Sequence, residues 1–423
     1  MPEPTVLVIG GGPAGLLAAG RSAHCGARTL LLEKGPKTGR KLRMTGKGRC
    51  NITNTTTPRG FVDAFGPKGR FLYGPLSRFF RDDILGILAS RGVEVKAERG
   101  GRIFPASDSA LEVAAALEEW AAEAGAQLRR LACVDRIVVD EQGVAGVGLG
   151  DQVIPGRAAI ICTGGASYPG TGSAGDGYRL AGGVGHTIVA PTPALSAVIT
   201  MEPWVGRLSG LALRNVEVSI GSPPADDVFR PVASRFGEML FTHEGLSGPV
   251  VLTLSREAPA LLRKGGAQMR IDLKPALTPE QLHTRFIRDW RKPQHFKNYL
   301  KELLPLSMLD VFPELVAIPP SLPVHQITAE MRNRLVAALK GLPVNIRRMA
   351  ALEHAIVTAG GVALGEVDSK TMMSRKVAGL YFAGEVLDLD AETGGYNLQA
   401  AFSTGWVAGS CAAERVLSLG SEE

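Results

Sequence analysis

Three glycines near the start of the chain have the spacing that binds a dinucleotide phosphate. Gly10, Gly12 and Gly15 follow the apolar run Val6 to Ile9 and open a stretch of small residues that reaches Gly20. The first glycine permits a tight turn, the second lets the backbone approach a pyrophosphate, and the third lets the helix pack closely on the sheet. The helix N-terminus offers free N–H groups and a partial positive charge. The pattern predicts a strand, a phosphate-binding turn and a helix.

An acidic residue stands where the ribose of such a ligand would lie. Residues 29–32 predict a second buried strand, which is followed by Glu33, 23 residues after Gly10. A carboxylate at this place can accept hydrogen bonds from an adenosine ribose. The glycine spacing alone is weak evidence, but strand, glycines, helix, strand and acid in this order predict a bound dinucleotide.

A second glycine-rich turn lies near the other end of the chain. A predicted strand ends at Glu385, and residues 393–395 lead into a predicted C-terminal helix. NAD enzymes rarely need this second helix start, whereas FAD is longer and its isoalloxazine must be held away from the pyrophosphate. We expect Glu385 to accept hydrogen bonds from the ribityl hydroxyls, and the N–H groups near Asn397 and Leu398 to face flavin N1 and O2.

The alternation of strand and helix is interrupted in the middle of the chain. We predict an α/β fold in which residues 1–189 and 350–423 form a discontinuous Rossmann-like FAD-binding domain, with a mostly parallel sheet and a β-meander. Residues 190–349 form a predicted inserted domain that shapes the substrate cavity. This insertion is predicted to be β-rich over 190–276 and helical over 277–343.

Composition limits the other classes of function. The 423 residues carry 47 Lys and Arg against 41 Asp and Glu, a net charge of +6. Because these charges look dispersed along the sequence, no nucleic-acid partner is expected. No apolar stretch is long enough to span a membrane, and the first strand leaves no room for a signal peptide, so a cytoplasmic protein is expected.

Five cysteines are too few and too scattered for a structural framework. Their number is odd and no CxxC pair occurs, which argues against disulfides, zinc and iron–sulfur clusters. The five are Cys25, Cys50, Cys133, Cys162 and Cys411.

Several longer motifs resemble one bacterial family. The chain is similar to the BaiN-type (YhiN-like) flavoproteins, which are two-dinucleotide-binding-domain flavoproteins, over essentially its whole length. The motifs lie at residues 39–54 (GRKLRMTGKGRCNITN), 101–105, 237–249, 357–362 and 384–405 (GEVLDLDAETGGYNLQAAFSTG). Many members carry three consecutive glycines where this chain has Gly46-Lys47-Gly48.

The resemblance implies a non-covalent FAD enzyme whose inserted domain is β-barrel-like and helical. Members of the family have been assigned reduction of steroid-type enones and oxidation of small amino ketones, so the family indicates the cofactor better than the substrate. The residues predicted to contact FAD come from both ends of the chain. They are Gly10, Gly12, Pro13, Ala14, Gly15, Glu33, Lys34, Arg40, Lys41, Gly46, Arg49, Cys50, Asn51, Val134, Thr163, Gly164, Gly384, Glu385, Gly395, Tyr396, Asn397 and Leu398.

No residue is identified as catalytic, and three are candidates. His243 either binds substrate or donates a proton, or it is a structural histidine in a turn. Lys47 either reaches the flavin or its phosphates, or points into solvent. Cys50 is either a redox partner of the flavin or a packed thiol, and the packed thiol is the favoured interpretation.

The predicted function is that of an FAD-dependent oxidoreductase. Hydride would move at flavin N5, to or from a small or medium hydrophobic carbonyl, enone or amine compound. An NAD(P)H-linked reductase is favoured over an oxidase that uses dioxygen. A second complete glycine motif is missing from the sequence, so NADH or NADPH would visit the flavin transiently. Two other classes stay open: a tRNA-modifying flavoprotein and a non-enzymatic FAD-binding redox protein. The oligomeric state is not predicted.

Overall fold

The computed structural model describes residues 5–224 and 228–421. The chain divides into two compact units. The first unit comprises residues 1–193 and 352–423, and the second unit comprises residues 194–351. Both ends of the chain therefore belong to the first unit.

The described chain contains both strands and helices in each of its two units. In chain order, the strands are β1 (Val6–Ile9), β2 (Thr29–Leu32), β3 (Thr53–Asn54), β4 (Val95–Glu98), β5 (Arg102–Pro105), β6 (Gln127–Arg129), β7 (Arg136–Asp140), β8 (Gly143–Leu149), β9 (Gln152–Pro155), β10 (Ala158–Ile161), β11 (Ile188–Ala194), β12 (Val198–Thr200), β13 (Ala212–Gly221), β14 (Pro231–Phe241), β15 (Gly245–Ser247), β16 (Ala267–Asp272), β17 (Leu342–Met349), β18 (Val357–Val362) and β19 (Leu380–Phe382). The α-helices are α1 (Pro13–His24), α2 (Thr45–Gly48), α3 (Pro58–Ala64), α4 (Tyr73–Arg78), α5 (Arg81–Ala89), α6 (Ala110–Glu123), α7 (Asp176–Gly183), α8 (Trp204–Arg207), α9 (Pro249–Leu254), α10 (Ala258–Arg263), α11 (Pro279–Asp289), α12 (Phe296–Leu300), α13 (Phe312–Val316), α14 (Ala329–Gly341) and α15 (Tyr396–Ser421).

A parallel five-stranded sheet with the order β19-β10-β1-β2-β6 forms the centre of the first unit. All four residues of β1 are buried, as expected for a strand covered on both faces. Ile9, the last residue of β1, lies opposite Leu32 and Ile161 of its two neighbours. The residues that follow these strands, among them Gly10 and Glu33, therefore meet at one edge of the sheet, where open α/β sheets bind ligands.

Two glycines let the C-terminal helix α15 pack directly against α1. A Cβ atom at Gly405 would overlap the carbonyl oxygen of Ala14, and one at Gly409 would overlap that of Ala18. These glycines lie four residues apart and so share one face of α15. The packing holds the C-terminal segment beside the helix that follows the glycine turn.

Small antiparallel sheets flank the central one. The strands β7, β8 and β9 form the predicted β-meander, and β3, β5 and β4 form a second three-stranded sheet. A pair of strands, β11 and β18, completes the β-structure described for the first unit.

The second unit contains a closed six-stranded barrel with the order β12-β15-β14-β13-β16-β17. Its strands alternate as a barrel requires: Val216, Val218 and Ile220 of β13 are buried, whereas Glu217 is exposed. Helices α11 to α14 lie between the last two barrel strands in the sequence. The predicted fold class, a Rossmann-like part with a barrel-like and helical part, is confirmed.

In the ranges that the structure covers, every helix is too short or too polar to cross a membrane.

Candidate cofactor-binding site

In the glycine turn that follows β1, protein atoms fill the space beside two of the three glycines. Gly10 has a φ of +102°, and a Cβ there would lie 2.7 Å from the carbonyl oxygen of Cys162. A Cβ at Gly15 would overlap the Gly10 carbonyl oxygen. Gly12 differs, because within the described chain a Cβ there would meet nothing within 4 Å. Its φ of −79° and ψ of −175° also suit any residue, and Pro13 begins α1 directly after it.

Glu33 connects the first strand–helix turn to the loop after β2. Its Oε2 accepts a hydrogen bond from the Gly11 N–H (2.7 Å), and its Oε1 accepts one from the Gly35 N–H (2.6 Å). Each carboxylate oxygen can accept about two hydrogen bonds, so one acceptor position on each oxygen remains. The carboxylate is thus fixed beside the glycine turn and retains two acceptor positions.

Glu385 forms an ion pair with Lys41. The Lys41 Nζ lies 2.9 Å from Oε1 and 2.7 Å from Oε2, and it also donates to Ser167 Oγ (2.7 Å). The Thr358 N–H donates to Oε1 (2.9 Å), and Ser167 Oγ lies 3.3 Å from the same oxygen. Oε1 is therefore saturated, whereas Oε2 keeps room for one more donor.

The C-terminal glycine turn packs on β3 and on the loop that leads into it. The Asn54 amide donates to the Gly394 carbonyl (3.0 Å). A Cβ at Gly395 would overlap the carbonyl oxygen of Thr53. With its amide oxygen turned toward Gly395, Asn51 accepts a hydrogen bond from the Gly395 N–H (3.0 Å). The structure thus joins the segment around Asn51 to the start of α15.

Helix α15 begins at Tyr396, whose ring packs edge-on against Phe61 with 5.0 Å between centroids. The Asn397 side chain both accepts from the Ala391 N–H (2.9 Å) and donates to the Ala391 carbonyl (3.1 Å). The first-turn N–H groups, including that of Leu398, have no acceptor within the helix. The backbone rather than the Asn397 side chain is thus available to a ligand.

The remaining predicted cations all have protein partners. Lys34 pairs with Asp176, Arg40 donates to the Gly170 carbonyl (2.7 Å), and Arg49 pairs with Glu98 and with Asp108 (2.8 Å). These contacts fix the positions of the three cationic side chains.

The end of β10 contributes a buried hydroxyl. Thr163 Oγ1 is buried and has no hydrogen-bond partner in the described residues. Gly164 follows with a φ of +71°, and Val134 is buried in the same unit. After the neighbouring strand β19, Gly384 has a φ of +78°, and a Cβ there would lie 2.9 Å from that of Ala14. An unpaired buried hydroxyl at a strand end suits a polar ligand.

The short segment α2 is a left-handed turn around Lys47 and not a regular α-helix. Gly46, Lys47 and Gly48 have φ angles of 58°, 61° and 85°, and Lys47 is exposed.

Cys50 also has a positive φ of 61° and is fully buried. Burial raises the pKa of its thiol to about 12. Such a thiol is neutral at physiological pH, which agrees with the packed-thiol interpretation.

His243 lies in the second unit, in the turn between β14 and β15. Its side chain is exposed, and the turn is closed by a hydrogen bond from the Thr242 N–H to the Gly245 carbonyl (2.8 Å). This arrangement is that of an ordinary hairpin turn.

Two residues of the Glu385 cluster were missed by sequence reasoning. Ser167 and Thr358 are fully buried and bind the carboxylate, yet neither was assigned a role. Thr358 belongs to the motif at residues 357–362, and the available signal was a polar residue in an apolar run two positions before a pair of glycines.

Comparison with known protein families shows to which family the chain belongs. The family model "HI0933-like protein Rossmann domain" matches residues 4–411. The chain belongs to this family. It is 31% identical over 95% of its length to the "Ribosomal RNA dihydrouridine synthase" of Escherichia coli, of which 96% is covered. It is 30% identical over 96% of its length to the "3-dehydro-bile acid delta(4,6)-reductase" of Clostridium scindens, of which 98% is covered.

The fold of the HI0933-like chain also occurs in solved structures of low sequence identity. The 3-ketosteroid-delta4-(5alpha)-dehydrogenase from Rhodococcus jostii has a TM-score of 0.52 at 15% identity, with 97% of each chain covered. The family match and the two relatives confirm the resemblance to BaiN-type flavoproteins, and the family is one of FAD-dependent oxidoreductases.

Proposed function

We propose that the first unit binds FAD non-covalently and that the protein is a reductase of carbon–carbon double bonds conjugated with a carbonyl group. The observation that carries the cofactor assignment is the open space beside Gly12. Neither the backbone angles nor neighbouring protein atoms require glycine at that position. A pyrophosphate that approaches the backbone does require it.

The two acidic residues fit the polar groups of FAD. Glu33 retains one acceptor position on each oxygen, which suits the two hydroxyls of the adenosine ribose. Glu385 retains one position on Oε2, which suits a single ribityl hydroxyl. Lys41 holds this second carboxylate in place and neutralises its charge.

Backbone donors supply the positive potential for the phosphates and the flavin ring. The N-terminus of α1 would face the pyrophosphate, and the first turn of α15 would face the pyrimidine end of the isoalloxazine. The buried Thr163 hydroxyl offers an additional donor. When bound, FAD supplies hydride transfer through its N5 atom.

The proposed reaction adds two hydrogens across a conjugated C=C bond. The names of both curated relatives describe such an addition, one to a uridine and one to a bile acid. NADH or NADPH supplies the hydride and becomes oxidised, and the second hydrogen arrives as a proton from solvent or from an acid of the protein. Atoms and charge balance as enone + NAD(P)H + H⁺ giving the saturated ketone + NAD(P)⁺.

A second candidate substrate is a pyrimidine within RNA, and the charge distribution favours it. The second unit, residues 194–351, holds 20 Lys and Arg against 14 Asp and Glu. The rest of the chain holds 27 of each, so the whole excess of six positive charges lies in the second unit. The excess charge is therefore segregated and not dispersed, contrary to the expectation from the sequence. A polyanionic RNA fits such a segregated charge better than a steroid that carries a single carboxylate does.

The test begins with the absorbance of the purified protein and of the supernatant after heating. Yellow protein that releases FAD is expected, and a colourless folded protein that does not take up added FAD would refute the cofactor. NADH and NADPH are then titrated anaerobically, and a 3-keto-4-ene steroid or a uridine-containing RNA is added. Bleaching followed by re-oxidation and a saturated product supports the reductase. Re-oxidation by dioxygen alone, with no saturated product, would contradict it.

A further inference from the structure

The positive charge of the second unit is concentrated in one short segment. Residues 284–301 contain six Lys and Arg and a single acidic residue, Asp289. This segment accounts for a net charge of +5, nearly the excess of the whole chain. It covers the second half of α11, the following turn and α12.

A buried aromatic cluster holds this segment rigidly. Phe286 and Trp290 stack with 5.2 Å between ring centroids, and Tyr299 packs edge-on against Phe286 at 5.8 Å. Phe286, Phe296 and Tyr299 are fully buried, and Trp290 is 7% exposed. Because the aromatic rings face inward, the charged residues between them are left on the outside.

We call the outward cations the basic surface: Arg288, Arg291, Lys292, Lys297 and Lys301. Arg288 shares the carboxylate of Asp289 with Arg285, and Lys297 pairs with Asp310. Within the described chain, no ion pair is formed by three of the five, which are Arg291, Lys292 and Lys301.

Several cations of the basic surface lie close to one another. Lys297 and Lys301 lie four residues apart at α12, a spacing at which like charges repel. Arg291 and Lys292 are adjacent to each other and lie three and four residues beyond Arg288. The macrodipole of α11 favours Arg288 in its last turn, and that of α12 favours Lys297 in its own last turn.

We propose that the basic surface binds the phosphate backbone of RNA. A single phosphate would need converging, buried donors, whereas here Arg288 is 72% exposed and Lys297 44% exposed. Exposed cations spread along two helices and a turn fit an extended polyanion, which neutralises several of them at once. The inference rests on the proposed function for the chemistry done on the RNA, while the binding itself is tested without that chemistry.

The experiment measures RNA binding at several salt concentrations. The probe is a fluorescein-labelled single-stranded RNA of mixed sequence, followed by anisotropy with the full-length protein. The test variant is R291Q/K292Q/K301Q. The control variant R263Q/K264Q/R347Q removes the same charge from exposed cations elsewhere in the second unit, which form no ion pair among the described residues. Circular dichroism and flavin content establish that both variants are folded.

The test variant is expected to bind the RNA about tenfold more weakly, and the slope of log K against log salt should fall by about 2, since each phosphate contact contributes about 0.7 on a single strand. The control variant should keep most of the affinity. Equal losses of RNA affinity in both variants would refute the proposal that the basic surface binds RNA. An unchanged slope of log K against log salt in the test variant would refute it as well. Binding to phosphatidylglycerol vesicles that depends on the same residues, without RNA binding, would assign the surface to a membrane instead.

The RNA-binding experiment and the test of the proposed function can fail independently of each other. RNA binding needs no redox step, so a colourless protein that still binds RNA through these residues would refute the FAD assignment alone. A yellow, active reductase whose RNA binding is unaffected by the substitutions would refute the basic surface alone.

Discussion

Lys41 and Glu385, 344 residues apart in the chain, form an ion pair with 2.7 Å between Nζ and Oε2. The two side chains are 21% and 20% exposed, so the pair is largely shielded from water. It joins the loop after the second strand to the end of the last strand of the central sheet. The pair thereby holds in place the carboxylate that we assign to the ribityl chain.

Replacing Lys41 should therefore weaken both the fold and the cofactor site. In Lys41→Met the carboxylate of Glu385 keeps its charge and loses its counter-ion. We expect the free energy of unfolding to fall by about 1–3 kcal/mol and the dissociation constant for FAD to rise. Urea denaturation and fluorescence titration with FAD measure the two effects.

Lys47→Met is the matched control for Lys41→Met. Lys47 belongs to the same loop and is exposed, so its removal should leave the denaturation midpoint nearly unchanged. Identical midpoints for the two variants would show that the Lys41–Glu385 pair does not stabilise the protein.

Two glycines of the same motif should respond differently to substitution. Gly12→Val should fold, because its backbone angles suit valine and nothing occupies the space beside it, but it should retain no flavin. Gly15→Ala should fold poorly, because the new methyl group overlaps the Gly10 carbonyl. Circular dichroism and visible absorbance separate the two outcomes. A yellow Gly12→Val protein would remove the main support for the proposed pyrophosphate site.

The first strand–turn–helix unit could be predicted from the sequence because every requirement is local. The apolar run, the glycines and Glu33 lie within 28 residues, and each fulfils a backbone or packing rule that holds in any protein. The start of α15 could be predicted for the same reason. The β-meander followed from short alternating strands joined by tight turns.

The contacts of the predicted cations could not be derived in this way. Lys34 and Arg40 suggest phosphate binding by their position in the sequence, yet their partners Asp176 and Gly170 are supplied by a loop more than 100 residues away. The sequence around a single lysine or arginine does not show which distant residue it will contact in the fold. The same applies to Thr358, which reaches Glu385 only because β18 and the end of β19 are brought together.

The packing of α15 on α1 gives a third prediction. Gly405→Ala places a methyl group on the Ala14 carbonyl oxygen, so the helices must separate, at a cost of about 1–3 kcal/mol. Gly182→Ala in α7 meets nothing within 4 Å in the described chain and should be neutral or stabilise the protein by up to about 1 kcal/mol. Thermal melts of both variants test this difference. Equal melting temperatures would mean that the two helices are not in close contact.

The cysteines should react in an order set by burial. Cys133 is exposed, whereas Cys50 and Cys162 are buried and desolvation raises the pKa of both thiols. Iodoacetamide at mildly alkaline pH should modify Cys133 first and leave the other two intact until the protein is unfolded. Peptide mapping by mass spectrometry gives the order. Rapid modification of Cys50 in the folded protein would instead support the alternative that this thiol is a redox partner of the flavin.

The stability of the first unit should fall in two steps as the pH is lowered. His186 is buried, 2.7 Å from Ser374 Oγ and 3.2 Å from Glu366 Oε2, and burial lowers its pKa below 6.5. The unfolded chain then binds the proton more readily than the folded one, so stability is complete above pH 6.5 and falls below it. The pKa of Glu366 is lowered from 4.5 to about 2, chiefly by its hydrogen bond to Lys376. Its contribution is complete above pH 4.5 and is lost toward pH 2.

Variants of the two residues should separate these steps in denaturant midpoints measured from pH 7.5 downward. His186→Asn cannot titrate, so the loss that begins near pH 6.5 should become shallower than in the unmodified protein. Glu366→Gln removes the lower step, and it should steepen the upper one because the carboxylate that raises the pKa of His186 is gone. If Glu366→Gln instead made the upper step shallower, the carboxylate of Glu366 would not be raising the pKa of His186.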